Sequence, residues 1–413
     1  MTGETSLIVE IGDRYVVGSA VSAGSFLGRV AIRSSQGRIA EIRADYRPRK
    51  AVVVDPEILL APGFIDVQVN GGFGIELSRN PERLFELAAR LPRTGVTSFL
   101  PTLPSPTAEE AAALGQNVAE LEERLPQETF AADAIGIHLE GPALNPARRG
   151  AHSPERLRGV REAKAILEKA RRAYLSARHN SSRHSAATHR PQSGRRPLLT
   201  MVTLAPELEG ALAFIRELES MPRVVAAVGH TDGSFDVGRR AIEAGARIFT
   251  HFFNATRPLA HRDCGIGMAY LLDRKTVLTL ICDGTHVEAP AVALLATLVG
   301  SRRIVLTTDS CPELGMVPEN FRATLDSSKT LRGGVVPTNR CIRNFSEFAG
   351  VHLAKAIALA TAVPARILGL KDRGRIAVGC RSDLVGVTPR GEVAAVIKQG
   401  LAVEYLPGTL SET

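Results

Sequence analysis

The chain has 413 residues, 44% hydrophobic and 23% charged, with a net charge of +8. That usage is ordinary for a globular chain and excludes wholesale disorder. No apolar run reaches the ~18 residues of a membrane span, and the start, Met-Thr-Gly-Glu-Thr-Ser, has neither a basic region nor an apolar leader. Five widely spread cysteines (Cys264, Cys282, Cys311, Cys341, Cys380) contain no CxxC pair, so a reducing, cytoplasmic setting is expected rather than a disulfide scaffold.

Residues 1–58 read as short alternating strands (LIVEI, YVVG, GRVAIR, GRIAEIRA, AVVVD) with glycines between several of them. The same texture returns over 371–413, in GRIAVG, SDLVGV and AAVIKQGLAVEYL. The two ends are expected to make one small β-sandwich domain, with the middle of the chain inserted between them.

The middle, 59–370, alternates apolar strand-like runs with helix-like stretches. The strand candidates are 59–69, 95–103, 134–141, 198–206, 223–230, 247–253, 276–284 and 303–309. Between most of them lie patterns such as PERLFELAARLPR and FDVGRRAIEAGA, with apolar residues at helical spacing. Eight strands, most followed by a helix, predict an α/β fold, a (β/α)8 TIM-like barrel. Segment 171–197 breaks the pattern, being rich in Ser, Arg and His with almost no apolar periodicity, and is expected to be a mobile, disordered surface insertion. Its seven arginines account for all but one of the net positive charges. Nucleic acid is disfavoured as a partner, because that segment offers only Tyr174 for stacking.

Four strand candidates end in a metal-capable or ionisable group: Glu140 in HLEG, His230 in VGHT, His251 in THFFN and Asp309 in LTTDS. In a barrel the active site lies at the C-terminal ends of the strands, where separate strands converge. Two imidazoles and a carboxylate can hold a zinc-class ion and leave a position open, while a second carboxylate moves the proton. Singly, each has a plainer reading, such as Asp309 as a helix cap or Glu140 as a turn residue. Together at one end of the strands they point to metal-assisted hydrolysis.

APGFIDVQVNGGFG (61–74), HLEGP (138–142), RRGAHSPE (148–155), VTLAPE (202–207), VGHTDG (228–233), THFFNA (250–255), HRDCGIG (261–267), CDGTHVE (282–288) and LTTDS (306–310) recur in order at successive strand ends. With these motifs the chain resembles the N-acetylglucosamine-6-phosphate deacetylases of the amidohydrolase superfamily, in its animal-type form, from about residue 58 to 405. The resemblance implies metal ligands at Glu140, His230 and His251, an acid/base at Asp309, and substrate contacts at Gln68, Ala151, His152, Asn254, Ala255, Arg262, His286, Leu331 and Gly333. Arg262 falls in the motif for the sugar phosphate; a planar guanidinium suits that geometry. His286 is open between stabilising the oxyanion and binding sugar hydroxyls or phosphate. Many amidohydrolases carry His-x-His at the end of strand 1, where this chain has Gln68 and Asn70. Neutral amides are poor ligands for such an ion, so one divalent metal per subunit is expected, not two. The resemblance also implies a homodimer acting on a phosphorylated amino sugar.

Three departures stand against the family pattern. They are the basic segment 171–197, a shortened stretch between Asp309 and Gly333 that is expected to lack a hairpin, and LRGG (331–334) with Arg332 in place of a small residue. They leave two alternatives open: an amidohydrolase acting on another N-acyl substrate, and a catalytically impaired barrel acting as a binding protein.

Overall fold

The computed structural model describes residues 7–11, 14–124, 130–184, 197–318, 323–325, 330–398 and 401–412. The apolar runs of the middle become eight strands: β1 (Phe64–Val69), β2 (Val96–Pro104), β3 (Ile137–Glu140), β4 (Thr200–Leu204), β5 (Val224–Val228), β6 (Ile248–Phe249), β7 (Val277–Leu280) and β8 (Ile304–Leu306). Each pairs in parallel with the next. The strands are buried almost throughout, because helices cover one face of a parallel sheet and the barrel interior the other. Ile65, Leu100, Met201, Ala227, Ile248, Val277 and Val305 gather into one cluster inside the barrel. Around it run α1 (Leu84–Arg90), α2 (Ala108–Arg124), α3 (Val160–His184), α4 (Ala211–Ser220), α5 (Phe235–Ala244), α6 (Gly265–Leu272), α7 (Ala289–Val299) and α8 (Thr338–Phe348). The (β/α)8 barrel expected from the alternation is present.

Both chain ends meet in one ten-stranded sheet. Strand Tyr15–Ser22 is its branch point. It pairs antiparallel with Ser25–Ser35 and in parallel with both Ala51–Val54 and Leu59–Pro62. Leu59–Pro62 in turn pairs with Leu384–Val387 from the other end of the chain. The branching folds the sheet over a second core, with Val16, Val30, Ile32 and Leu60 from one end and Leu384 and Ile397 from the other.

The structure corrects four readings. Leu59–Pro62, expected to open the barrel, belongs to the end sheet; the chain passes into the barrel at Gly63, where a Cβ would lie 2.1 Å from Thr97 Oγ1. GRIAVG (374–379) is not a strand: Gly374 and Gly379 take positive φ at its two ends, and a Cβ on Gly374 would lie 2.6 Å from Thr361 O. Segment 171–197 is not a loop over 171–184, where it continues α3; residues 185–196 lie outside the described residues. The helix holds because Ala163, Ile166, Leu167, Ala170 and Tyr174 recur at helical spacing and join the main core, while Tyr174 Oη and Arg178 bond Glu122 on α2. The stretch after Asp309 does carry a hairpin, with Ala323–Leu325 paired antiparallel to Leu331–Gly334.

Candidate metal centre and active site

Four side chains leave the C-terminal ends of β3, β5, β6 and β8 and meet above the barrel. Glu140 is the last residue of β3; His230, His251 and Asp309 follow β5, β6 and β8 by two or three residues. These last three have positive φ of 48°, 32° and 49°. A non-glycine residue takes that conformation at a cost, and such strain gathers at functional sites. Here it turns each side chain off its strand and over the barrel mouth.

The donor atoms converge. His251 Nε2 lies 2.9 Å from Glu140 Oε1 and 3.0 Å from His230 Nε2, and His230 Nε2 lies 3.3 Å from Glu140 Oε1. Three ligands each ~2.0–2.1 Å from one tetrahedral ion stand about 3.3 Å apart, so this triangle is close to the right size. The chemistry also fits. His230 Nδ1 donates to Arg148 O at 3.0 Å, which leaves the Nε2 lone pair turned inward. Burial, with the neighbouring His152, pushes His230 down to about 4, so it is neutral and able to ligate near pH 7. Burial alone would raise Glu140, but the surrounding imidazoles of His152, His230 and His251 hold its carboxyl well below the usual carboxylate range.

His152, expected as a sugar contact, stands closer to this cluster than the sequence indicates. Its Nδ1 is 2.7 Å from Ser105 Oγ and its Nε2 is 3.5 Å from Glu140 Oε2. Glu140, His152 and His230 thus also form a group able to hold a metal ion. Of the two sets, the one with His251 is tighter, at 2.9 Å from the glutamate against 3.5 Å. Gln68 Nε2 donates to Glu140 Oε1 at 2.9 Å, and Asn70 Nδ2 donates to Asp309 Oδ1 at 2.7 Å. Both amides therefore turn donors, not ligand oxygens, toward the carboxylates.

Asp309 is partly buried. Removal from water and the charge of Glu140 raise its carboxyl to about 6, against the pull of His251, Asn70 and His286. His286 is held between two acceptors, with Nδ1 2.6 Å from Asp283 Oδ2 and Nε2 2.7 Å from Arg332 O. Both ring nitrogens face acceptors, an arrangement suited to the protonated ring, and against burial the Asp283 carboxylate raises its pKa. Its Nε2 must leave the Arg332 carbonyl before it can serve substrate. The Arg332 side chain turns away to Glu313, at 3.1 Å.

The remaining expected contacts divide. Gly150, beside Ala151 and His152, lies against His230 and Ala255, and Asn254 Nδ2 bonds His251 O at 3.3 Å, so Gly150, Asn254 and Ala255 stand beside the candidate metal ligands. Gly333 packs on the Asp309 backbone, where a Cβ would come 2.0 Å from the carbonyl oxygen. Leu331 begins the same strand. Arg262 is exposed on the loop after β6, with no hydrogen bond or ion pair among the described residues. Its neighbour Arg257 is instead spent on Asp232 and Asp263.

Several supporting residues carry no signal in sequence. His138 Nε2 meets Thr203 Oγ1, and Thr203 Oγ1 meets Thr250 Oγ1, each at 2.8 Å. The His251 amide bonds Thr279 Oγ1 at 2.6 Å. This polar layer lies directly under the convergent donors. Asp283 could have been suspected from its place three residues before His286.

Residues 59–403 match the family model described as the amidohydrolase family. The chain is 31% identical over 390 residues to human N-acetylglucosamine-6-phosphate deacetylase, covering 88% of this chain and 86% of that protein. It is 34% identical over 362 residues to N-acetylgalactosamine-6-phosphate deacetylase of Escherichia coli O157:H7, covering 84% and 88%. Its fold matches a mutant N-acetyl-D-glucosamine-6-phosphate deacetylase from Mycobacterium smegmatis, solved in complex with N-acetyl-D-glucosamine-6-phosphate. That match has a TM-score of 0.78 and 28% identity, covering 94% of this chain and 98% of that one. With barrel, end sheet and strand-end donors all in place, the chain belongs to the amidohydrolase family.

Proposed function

We propose that this protein hydrolyses the acetamide of N-acetylglucosamine 6-phosphate to glucosamine 6-phosphate and acetate. The observation that carries the reading is the 2.9–3.3 Å triangle of Glu140 Oε1, His230 Nε2 and His251 Nε2 beside Asp309. The family is metal-dependent, and one divalent ion of the zinc class held by those three residues would supply Lewis acidity and an acidified water.

The chain's own residues do the rest. Asp309, ionised, takes the proton of the attacking water as the carbon–oxygen bond forms. It returns that proton to the nitrogen as the carbon–nitrogen bond breaks. Asn70, bonded to Oδ1, leaves Oδ2 for this exchange. His286, once released from Arg332 O, brings a positive N–H to the developing oxyanion or to a sugar hydroxyl. Arg262, exposed and uncommitted, takes the phosphate. Ala151, His152, Asn254, Ala255, Leu331 and Gly333 line the sugar, and Gln68 steadies Glu140. The working unit is a homodimer in the cytoplasm, where thiols such as Cys282 and Cys341, both buried and free, stay reduced.

The test is acetate release by zinc-loaded protein from N-acetylglucosamine 6-phosphate, beside its galactosamine epimer and unphosphorylated N-acetylglucosamine. Asp309→Asn should abolish turnover, and Arg262→Ala should remove the preference for the phosphorylated sugar. Equal turnover of the unphosphorylated sugar, or an active Asp309→Asn, sinks the assignment. Preference for the galactosamine epimer would move the substrate to that sugar, as in the E. coli relative.

A further inference from the structure

A parallel barrel closes when its last strand pairs with its first, and here that seam is thin. Among the described residues the ends of β1 and β8 meet through one isolated bridge, Val69 with Ser310, a bond from Asn70 N to Ser310 O at 3.0 Å and one from Ser310 Oγ to Gly71 O at 2.7 Å. Lower down they do not pair. Ile65 N donates to Ala360 O at 2.7 Å and Leu306 N to Leu359 O at 3.0 Å, so the 359–360 segment stands between them. Yet the proposed machinery straddles this seam, with Gln68 and Asn70 on one side and Asp309 on the other.

One carboxylate crosses the gap. Asp66, 1% exposed, accepts the amide of Gln68 at 3.2 Å on its own side. From the β8 side it accepts Thr307 Oγ1 at 2.6 Å, Thr308 Oγ1 at 2.7 Å and the Thr308 amide at 3.2 Å. Thr338 Oγ1, on the first residue of α8, adds a fifth donor at 3.1 Å. A carboxylate is the only common side chain that accepts from so many donors at once, and the start of a helix favours its charge. Thr308 is bound at both amide and hydroxyl, and the next residue is Asp309 in its left-handed conformation.

We infer that Asp66 is a positioning residue that clamps β1 to β8 and sets Asp309 against the metal ligands. The inference rests on the deacetylase reading. It differs from a purely stabilising role in what it predicts for the folded enzyme, because a reacting group displaced by ~1 Å costs about 10²-fold in rate.

Asp66→Asn keeps the volume but turns an N–H₂ donor toward other donors; Thr308→Val removes one hydroxyl with little change of shape. In metal-free protein, amide hydrogen exchange across 306–311 should rise about tenfold in Asp66→Asn, with β3–β5 unchanged. In zinc-loaded protein kcat should fall about 10²-fold while KM for N-acetylglucosamine 6-phosphate stays within about twofold. Zinc affinity should hold, whereas a residue supporting the ligands themselves would lose ~10–100-fold. Should Asp66→Asn fail to fold, Thr308→Val carries the same readouts with smaller changes. Unchanged exchange, or full kcat in a folded variant, overturns the inference. If the wild-type chain has no turnover, the functional reading and the catalytic half of this inference fall together, while the exchange rates still decide whether Asp66 clamps the two strands.

Discussion

At the scale of single residues, the proposed chemistry hangs on how Asp309 holds a proton. Its carboxyl is raised to about 6 by burial and by the charge of Glu140, and the water-activating form is the ionised one. Activity should therefore be full above that value and fall about tenfold per pH unit below it. A cation bound nearby favours the carboxylate, so it can move this limb only to lower pH. A pH profile of kcat/KM for the phosphorylated sugar checks this. An acid limb centred above about 7 would mean that another group is titrating. Glu140, His230, His251 and Asp309 were legible in sequence because each is a polar group closing an apolar run, which is where a barrel puts its chemistry. Asp66 was not, and Asn70 was read only as a poor metal ligand, although both lie in the same run as Gln68. Their roles are set by Thr307, Thr308 and Asp309, some 240 positions later in the chain, and nothing local signals that pairing.

At the scale of elements, apolar runs read well and composition misleads. The barrel strands were found because both faces of a parallel sheet are buried, so strand residues are apolar in unbroken runs. The second half of α3 was missed because Arg, Ser and His there look like a solvated loop. Arginine is nonetheless a good helix former, and a few contacts to α2 through Tyr174 and Arg178 are enough to continue a helix already nucleated. Ser176 tests this, being exposed in the middle of that half. Ser176→Pro should cost about 3 kcal/mol if the segment is helical, since proline removes a hydrogen bond and clashes with the preceding turn. Urea unfolding measures it. A change within about 0.5 kcal/mol, the usual effect of a surface substitution, would restore the loop reading.

At the scale of the whole molecule, the sequence indicated that the two ends combine but not how they are fastened to the barrel. One buried carboxylate does much of this. Asp133 lies just before β3, in a two-residue strand that pairs with β2. Its Oδ1 accepts from Lys398 Nζ at 2.7 Å, a lysine of the end sheet that is 2% exposed. Its Oδ2 accepts from Arg373 Nη1 at 3.1 Å, and Arg381 Nη2 lies 3.0 Å away, close enough to pair in charge though not aligned as a hydrogen bond. Burial opposes the charge of Asp133, but Lys398, Arg381 and Arg373 together hold its carboxyl well below the usual carboxylate range. A group with a depressed folded pKa contributes stability that is present above its unfolded value, ~3.9, and is lost as pH falls toward the folded one. Asp133→Asn leaves the enclosed Lys398 facing a neutral amide, while Arg373 and Arg381 keep Asp372 and Asp383, so it should destabilise the chain by about 3 kcal/mol at neutral pH. The gap between wild type and variant should then narrow as pH drops below about 4, because the unfolded wild type takes up a proton there that the folded chain still refuses. Paired urea titrations at several pH values would show it. A gap that stays constant through that range would mean that the carboxylate's charge is not what joins the end sheet to the barrel.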